Sequence, residues 1–95
     1  MDISVSSNAI TISGNIKSVS NYQDIKSAID SVIADHNAIT INITESISIT
    51  SSIIGYFNKL VLKDKINLNM TIGNEQLMEL IDDLNLKTLF KARKV

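Results

Sequence analysis

The chain contains no cysteine, which excludes disulfides and metal sites built from thiolates. Aromatic residues make up only 4% of the sequence, so the core has to be built from branched aliphatic side chains. Isoleucine alternating with polar residues favours strands. No apolar run approaches the roughly 18 to 20 residues that cross a bilayer. The start Met1-Asp2-Ile3-Ser4 lacks the basic and apolar regions of a signal peptide. We therefore expect a cytoplasmic protein without direct membrane insertion.

The chain also lacks an excess of charge of either sign. Its formal net charge is -1, with 44% hydrophobic and 20% charged residues, which is typical of a folded globular protein. Nucleic-acid binding depends on clustered Lys and Arg, so no nucleic-acid partner is expected. A chain of 95 residues buries about 60 to 65% of its unfolded surface and has no material for a second core. Residues 1–95 are predicted to form a single domain that is monomeric when free.

Residues that an enzyme needs are missing as well. There is no cysteine nucleophile, no glycine-rich phosphate loop and no histidine pair. Asp82 and Asp83 are adjacent on a predicted helix, so their side chains point about 100° apart and form a poor chelate. His36, the only histidine, has two interpretations: a phosphocarrier or general base, or a helix-end histidine that complements the helix dipole. We expect a protein that is not an enzyme and holds no metal or cofactor.

Hydrophobic periodicity predicts an α/β fold. Ile3 and Val5, then Ile10 and Ile12, alternate on both sides of the turn-forming residues 6–9 and predict a β-hairpin. A helix is predicted to begin at the capping box Ser20-Asn21-Tyr22-Gln23 and to end near His36-Asn37. The remaining predicted elements are a strand at 38–43, a helix ending near Lys63, a strand at 66–72 and a helix from Asn74 to Asn85.

Two adjacent hydroxyls, Ser51 and Ser52, stand where strand alternation gives way to helical spacing. Ile47 and Ile49 are expected to hold the preceding link against the core. At a helix start, serine hydroxyls cap free backbone N–H groups, and a phosphate is favoured electrostatically. Tyr56 is predicted to be an exposed aromatic that anchors a partner or forms an ordinary rim contact.

The residues Thr50-Ser51-Ser52-Ile53-Ile54-Gly55 resemble the D-S-S-G-L-G signature of STAS domains, the fold of bacterial anti-sigma-factor antagonists. The family's regulatory serine falls on Ser51. Thr50 stands where the family usually has Asp, and Ile53 where it usually has Gly. A second likeness is Thr11-Ile12-Ser13-Gly14-Asn15-Ile16, similar to an early L-x-G-E-L-D stretch, although Asn15 and Lys17 replace the acidic residues.

The resemblance implies a small STAS-like α/β domain: a four- to five-stranded mixed sheet with an N-terminal hairpin and about three helices. It places a short last strand at Leu89-Phe90 and the tail. It also implies binding to a serine kinase that is an anti-sigma factor, switched by phosphorylation at Ser51 or Ser52. The expected partner-binding residues are Thr50, Ser51, Ser52, Ile53, Ile54, Gly55 and Tyr56. The alternative is a scaffold that is not phosphorylated, a subunit of a transporter or sensory complex. A His36 phosphocarrier is the third hypothesis.

Overall fold

A five-stranded mixed sheet with the strand order β1-β2-β3-β4-β5 organises the chain. β1 and β2 are antiparallel, and each later strand is parallel to the one before it. The computed structural model describes residues 1–95. Its elements are β1 (Asp2–Ser6), β2 (Ala9–Ser13), α1 (Val19–Ile33), β3 (Ala38–Ile43), α2 (Ser51–Leu62), β4 (Asn67–Ile72), α3 (Glu75–Asp83) and β5 (Ala92–Lys94). The predicted α/β architecture with its hairpin and three helices is confirmed.

One face of the sheet carries all the helices. A parallel connection between neighbouring strands is right-handed, and the strands are added in one direction across the sheet, so α1, α2 and α3 must lie on the same side. Side-chain burial agrees, because alternate residues of β2, β3 and β4 are buried: Ile10, Ile12, Ile39, Ile41, Ile43, Leu68, Met70 and Ile72. These side chains belong to a single core cluster of 21 buried residues.

The other face of the sheet is polar and carries no helix. One row across the strands consists of Ser4, Thr11, Asn42, Thr71 and Arg93, which the strand register places side by side. The Asn42 side chain connects three strands: its amide donates to Thr11 Oγ1 at 3.3 Å, and its oxygen accepts from Thr71 Oγ1 at 2.6 Å. Three polar side chains of this outer face are therefore hydrogen-bonded to one another across neighbouring strands.

Polar side chains mark where each helix begins. Thr50 Oγ1 and Asn74 Oδ1 accept hydrogen bonds from the backbone of the first turns of α2 and α3. For α1, the predicted start at Ser20 is wrong. Ser18 is the N-cap and forms a capping box with Asn21, because Asn21 reaches back to the backbone N–H of Ser18.

The predicted end of α1 and the predicted position of the last strand also differ from the structure. The last residue of α1 is Ile33, and His36 lies beyond it. The last short strand, predicted at Leu89-Phe90 and the tail, is present in the tail but does not include Phe90. Phe90 is fully buried in the core, and its ring meets that of Phe57 edge to face, with centroids 5.7 Å apart. β5 follows it at Ala92–Lys94. None of the three helices has the length and apolar character that crossing a membrane requires.

Gly73 joins β4 to α3 at a point where two strands end close together. Its backbone N–H donates to the Ile43 carbonyl at 2.8 Å. A Cβ at this position would overlap the carbonyl oxygen of Thr44. Gly55, inside α2, has no heavy atom within 4 Å of where a Cβ would lie. Packing therefore requires a glycine at position 73 but not at position 55.

Gly73→Ala is expected to lower the free energy of unfolding by about 1–3 kcal/mol, because backbone atoms have to move away from the new methyl group. Gly55→Ala is the matched control and should raise it by about 0.4–1 kcal/mol, because alanine is the better helix former. Urea unfolding at neutral pH measures both values. Equal effects of the two substitutions would contradict the close approach at Gly73.

Candidate functional site

The carboxyl ends of the parallel strands form the edge where the loops of the candidate site meet. The chain leaves β2, β3 and β4 at this edge and enters α1, α2 and α3, so three helix N-termini lie there. The first N–H groups of a helix have no partner within the helix, and they carry partial positive charge. The helix dipoles therefore favour a negative charge at this edge.

Ser51 and Ser52 are the first two residues of α2, and both are exposed. The expectation that these serines cap the helix is wrong. The cap is Thr50, whose Oγ1 accepts a hydrogen bond from the Ile53 N–H at 3.3 Å. Because Thr50 performs the capping, the hydroxyls of Ser51 and Ser52 make no hydrogen bond within the protein and face solvent.

The loop before these serines is held by Ser46, which is fully buried. Its hydroxyl oxygen accepts from the Ile16 N–H at 3.0 Å and donates to the Ser48 carbonyl at 2.6 Å. Asn15 adds a second link, since its side-chain oxygen accepts from the Ile47 N–H at 3.2 Å. The loop after β2 and the loop after β3 are thereby fixed to each other.

Ile47 lies on this loop with 48% of its surface exposed. Sequence reasoning placed both Ile47 and Ile49 on the core. Ile49 is buried, but for Ile47 the prediction is wrong, because the Ser46 hydrogen bonds turn the chain so that Ser46 points inward instead. An apolar side chain is thus presented on a fixed loop beside two free hydroxyls. Alternation within the short run 46–49 gave no signal for this inversion.

Two of the predicted partner-binding side chains are buried. Ile53 is completely inaccessible, and Tyr56 retains only 5% of its surface. The prediction of an exposed Tyr56 is wrong because its ring packs edge to face on Tyr22, with centroids 6.4 Å apart. Ile54 is half-buried and Gly55 is exposed. Neither Ile53 nor Tyr56 can contact a partner without opening the core.

Tyr56 instead connects α2 to α1. Its hydroxyl donates to Asp30 Oδ1 at 2.5 Å, and Lys26 Nζ lies 2.7 Å from the other oxygen of the same carboxylate. Lys26 also lies over the Tyr56 ring, 5.5 Å from its centroid. Half of the Asp30 side chain remains accessible to solvent. The cluster is a link between helices at the protein surface.

The charges of this cluster shift three pKa values. Burial raises the pKa of the Tyr56 hydroxyl well above its usual value, and the hydrogen bond to Asp30 adds to this effect. Desolvation also raises the pKa of Asp30, but the hydrogen bonds from Lys26 and Tyr56 outweigh it and leave that pKa below its usual value. The hydrogen bond to Asp30 raises the pKa of Lys26. Tyr56 therefore stays neutral, and it is a hydrogen-bond donor rather than a reactive phenolate.

His36 lies at the opposite end of α1 from these loops. It is exposed, and its Nδ1 is 3.0 Å from the Val32 carbonyl oxygen. It lines an open cleft of about 660 Å³ whose other contributors include Asn8, Asp35 and Ile66. No group of three or more His, Cys, Asp or Glu side chains is placed to hold a metal ion. The structure does not bring His36 and Ser51 together.

Comparisons with protein-family models, curated proteins and solved structures found no match for this chain.

Ser46→Ala is expected to lower the free energy of unfolding by about 1–3 kcal/mol, because the buried N–H of Ile16 loses its acceptor. Ser48→Ala is the control, since the exposed Ser48 hydroxyl makes no hydrogen bond within the protein, and its effect should stay within about 0.5 kcal/mol. Chemical denaturation gives both values. Equal, small effects would show that Ser46 does not hold the loop.

Tyr56→Phe should cost about 1 kcal/mol at neutral pH, because a hydrogen bond to a half-exposed carboxylate is lost. Tyr22→Phe should lower the free energy of unfolding much less, because the Tyr22 hydroxyl has no hydrogen-bond partner within the protein. The pKa of Asp30 is lowered in the folded protein, so its carboxylate stabilises the fold above the pKa of an unfolded aspartate, about 3.9. This stabilisation is lost as the pH falls through the folded pKa. Unfolding of both variants measured between neutral and strongly acidic pH tests this. If Tyr56→Phe lowered the free energy of unfolding by the same amount in strong acid, the stabilising hydrogen bond from Tyr56 to the ionised Asp30 would be contradicted.

Proposed function

We propose that the chain is a bacterial anti-sigma-factor antagonist-like module of the STAS type, which acts by binding a serine kinase that is also an anti-sigma factor. The binding surface consists of the loop residues 46–50 and the first turn of α2. Phosphorylation of Ser51, with Ser52 as the second acceptor, ends the complex. The observation that carries the proposal is the position of Ser51: an exposed, unbonded hydroxyl at a helix N-terminus on a loop fixed by Ser46.

The architecture supports this proposal. An N-terminal hairpin is followed by alternating helices and parallel strands, and the serine pair lies between a strand and the N-terminus of a helix. That is the arrangement the resemblance of residues 50–55 to the STAS signature implies. The likeness at residues 11–16 falls on the end of β2 and the loop after it. Asn15 of that loop is hydrogen-bonded to the serine loop, the residues 46–52 that include Ser51 and Ser52. The two stretches that carry the resemblance are thus neighbours in space.

Electrostatics explains how phosphorylation switches such a surface. Between Glu45 and Lys59 the sequence has no Asp, Glu, Lys, Arg or His. A phosphate on Ser51 brings about -1.5 to -2 charges at pH 7 into this neutral segment. At the N-terminus of α2 it gains about 0.3–1 kcal/mol from the helix dipole, so the fold is retained. In a packed interface the same charge removes several kcal/mol of binding.

The exposed Ile47 gives the surface its affinity in this proposal. An aliphatic side chain on a fixed loop loses little conformational freedom on binding, and its burial is favourable. It takes the role that sequence reasoning gave to Tyr56. The partner therefore presents an apolar pocket beside an uncharged or negatively charged rim.

A scaffold that is not phosphorylated, a subunit of a transporter or sensory complex, is the second candidate function. Thr50 is the observation that favours it, because the family's Asp is replaced by a half-buried, uncharged cap. A kinase that needs the carboxylate beside its acceptor serine does not modify Ser51. In both cases we propose a cytoplasmic binding module without catalytic activity, and in both cases the partner is a protein.

Ser51→Asp is expected to weaken binding to a serine kinase of this type from the same genome at least tenfold, whereas Ser51→Ala binds like the unmodified protein. Ser27→Asp is the matched control, since Ser27 is exposed on α1, outside the serine loop, and this substitution should leave the affinity unchanged. Calorimetric titration gives the three dissociation constants. Equal affinities for Ser51→Asp and Ser51→Ala would rule out the switch.

Two further measurements separate loss of function from loss of fold. Ser52→Asp and Ser20→Asp both place a carboxylate at the second residue of a helix, so both should raise the free energy of unfolding by about 0.3–1 kcal/mol. Only the first should weaken binding.

Mass spectrometry of protein from native cells then decides between the two functions: phosphate on Ser51 or Ser52 supports the switch, and co-purification of the unmodified chain with permease subunits supports the scaffold.

A further inference from the structure

The two edges of the sheet differ in a way that bears on assembly. β5 has three residues, and Lys91, Arg93 and Lys94 lie in it or next to it. Short strands and cationic side chains are devices that keep an edge from pairing with another chain. β1 has five residues, Asp2-Ile3-Ser4-Val5-Ser6, without lysine, proline or a bulge. Only the β1 edge is left open to a further strand.

The backbone groups that β1 offers follow from the hairpin. Ser6 pairs with Ala9 across a two-residue turn in which Ser7 has a φ of 55°. The two residues that close so short a turn hydrogen-bond to each other. Along an antiparallel strand, the backbone N–H and C=O groups of successive residues point alternately toward the partner strand and away from it. Asp2, Ser4 and Ser6 therefore direct their N–H and C=O groups to β2. Ile3 and Val5 direct theirs outward.

We infer that the β1 edge binds a second copy of this chain, antiparallel and centred on Ser4, to form a ten-stranded sheet. In this register Ile3 lies opposite Val5 of the second copy, and Val5 lies opposite its Ile3. All the outward N–H and C=O groups of these two residues are then paired, giving four hydrogen bonds related by the two-fold axis. If the register shifts by two residues in either direction, half of the outward N–H and C=O groups of Ile3 and Val5 have no partner in the strand of the second copy.

Side chains and charges fit the same register. Val5 is 53% exposed although it points to the helix-bearing face, where it stands beside the buried Ile10. The register places Ile3 of the second copy next to it and covers both side chains. Asp2, the only charged residue of β1, lies opposite Ser6, so no like charges meet. The same pairing through β5 would bring cationic side chains together.

The interface is small, which sets its strength. Two five-residue strands cover far less than the about 1,200 Å² at which stable interfaces begin. The dimer should therefore be weak and transient, and the free chain is the expected monomer at low concentrations. β1 shares no residue with the serine loop, so the dimer does not depend on the proposed regulatory function.

Ser4→Cys tests the register, because the chain has no cysteine of its own. The two Ser4 residues face each other at a position without hydrogen bonds, where Cα atoms lie about 4.5 Å apart and a disulfide fits. Ser6→Cys is the control: the two Ser6 residues would be about 13 Å apart in the dimer. Mild oxidation should cross-link Ser4→Cys at least tenfold faster. Equal rates for the two variants, or no cross-linking of either, would overturn the register.

Val5→Lys tests the interface without a cross-link. Sedimentation equilibrium up to millimolar concentration should show a reversible dimer of the unmodified chain, and Val5→Lys should raise its dissociation constant at least tenfold. Leu62→Lys is the matched control, because Leu62 is similarly exposed, at 58%, on the last turn of α2, and this variant should dimerise like the unmodified chain. An unmodified chain that stays monomeric over this range, or equal effects of the two lysines, would overturn the proposal.

Discussion

Burial of one aliphatic face of the sheet beneath three helices is the constraint that determines the rest of this structure. Every β-to-α connection starts at the same edge of the sheet, because the strands from β2 onward are parallel and the helices share one face. The loops after β2, β3 and β4 are therefore neighbours without any dedicated binding domain. The serine loop, its Asn15 contact and three positively polarised helix ends meet there as a consequence of topology.

The parts of the fold that local pattern determines were predictable. Alternating isoleucines located β3 at residues 38–43, and helical spacing located α2 and α3. Predictions failed where a contact distant in sequence decides. The last strand, predicted at Leu89-Phe90 and the tail, begins only at Ala92, because Phe90 packs against Phe57 in the core. α1 is capped by Ser18 because Asn21 reaches back to it, whereas the usual capping box has Glu or Gln at the position of Asn21.

The candidate site shows the same division. Ser51 and Ser52 are where the change of periodicity placed them, exposed at the first residues of α2. Whether a neighbouring side chain is buried depends on tertiary contacts that no periodicity contains. Tyr56 is drawn inward by Asp30 on α1, 26 positions earlier, and Ser46 by the backbone of Ile16, 30 positions earlier. Ile47 is exposed as the consequence of that second contact, so the apolar part of the surface was invisible to pattern analysis.

The strand order also bears on how the molecule forms. Each strand pairs with the strand that precedes it in the chain, so no strand has to be inserted between two others. Growth can start from the hairpin and add one helix and one strand at a time, with short loops to close at every step. The chain can therefore gain structure in the direction in which a ribosome releases it, with β5 and its cationic residues as the final addition that closes the growing edge.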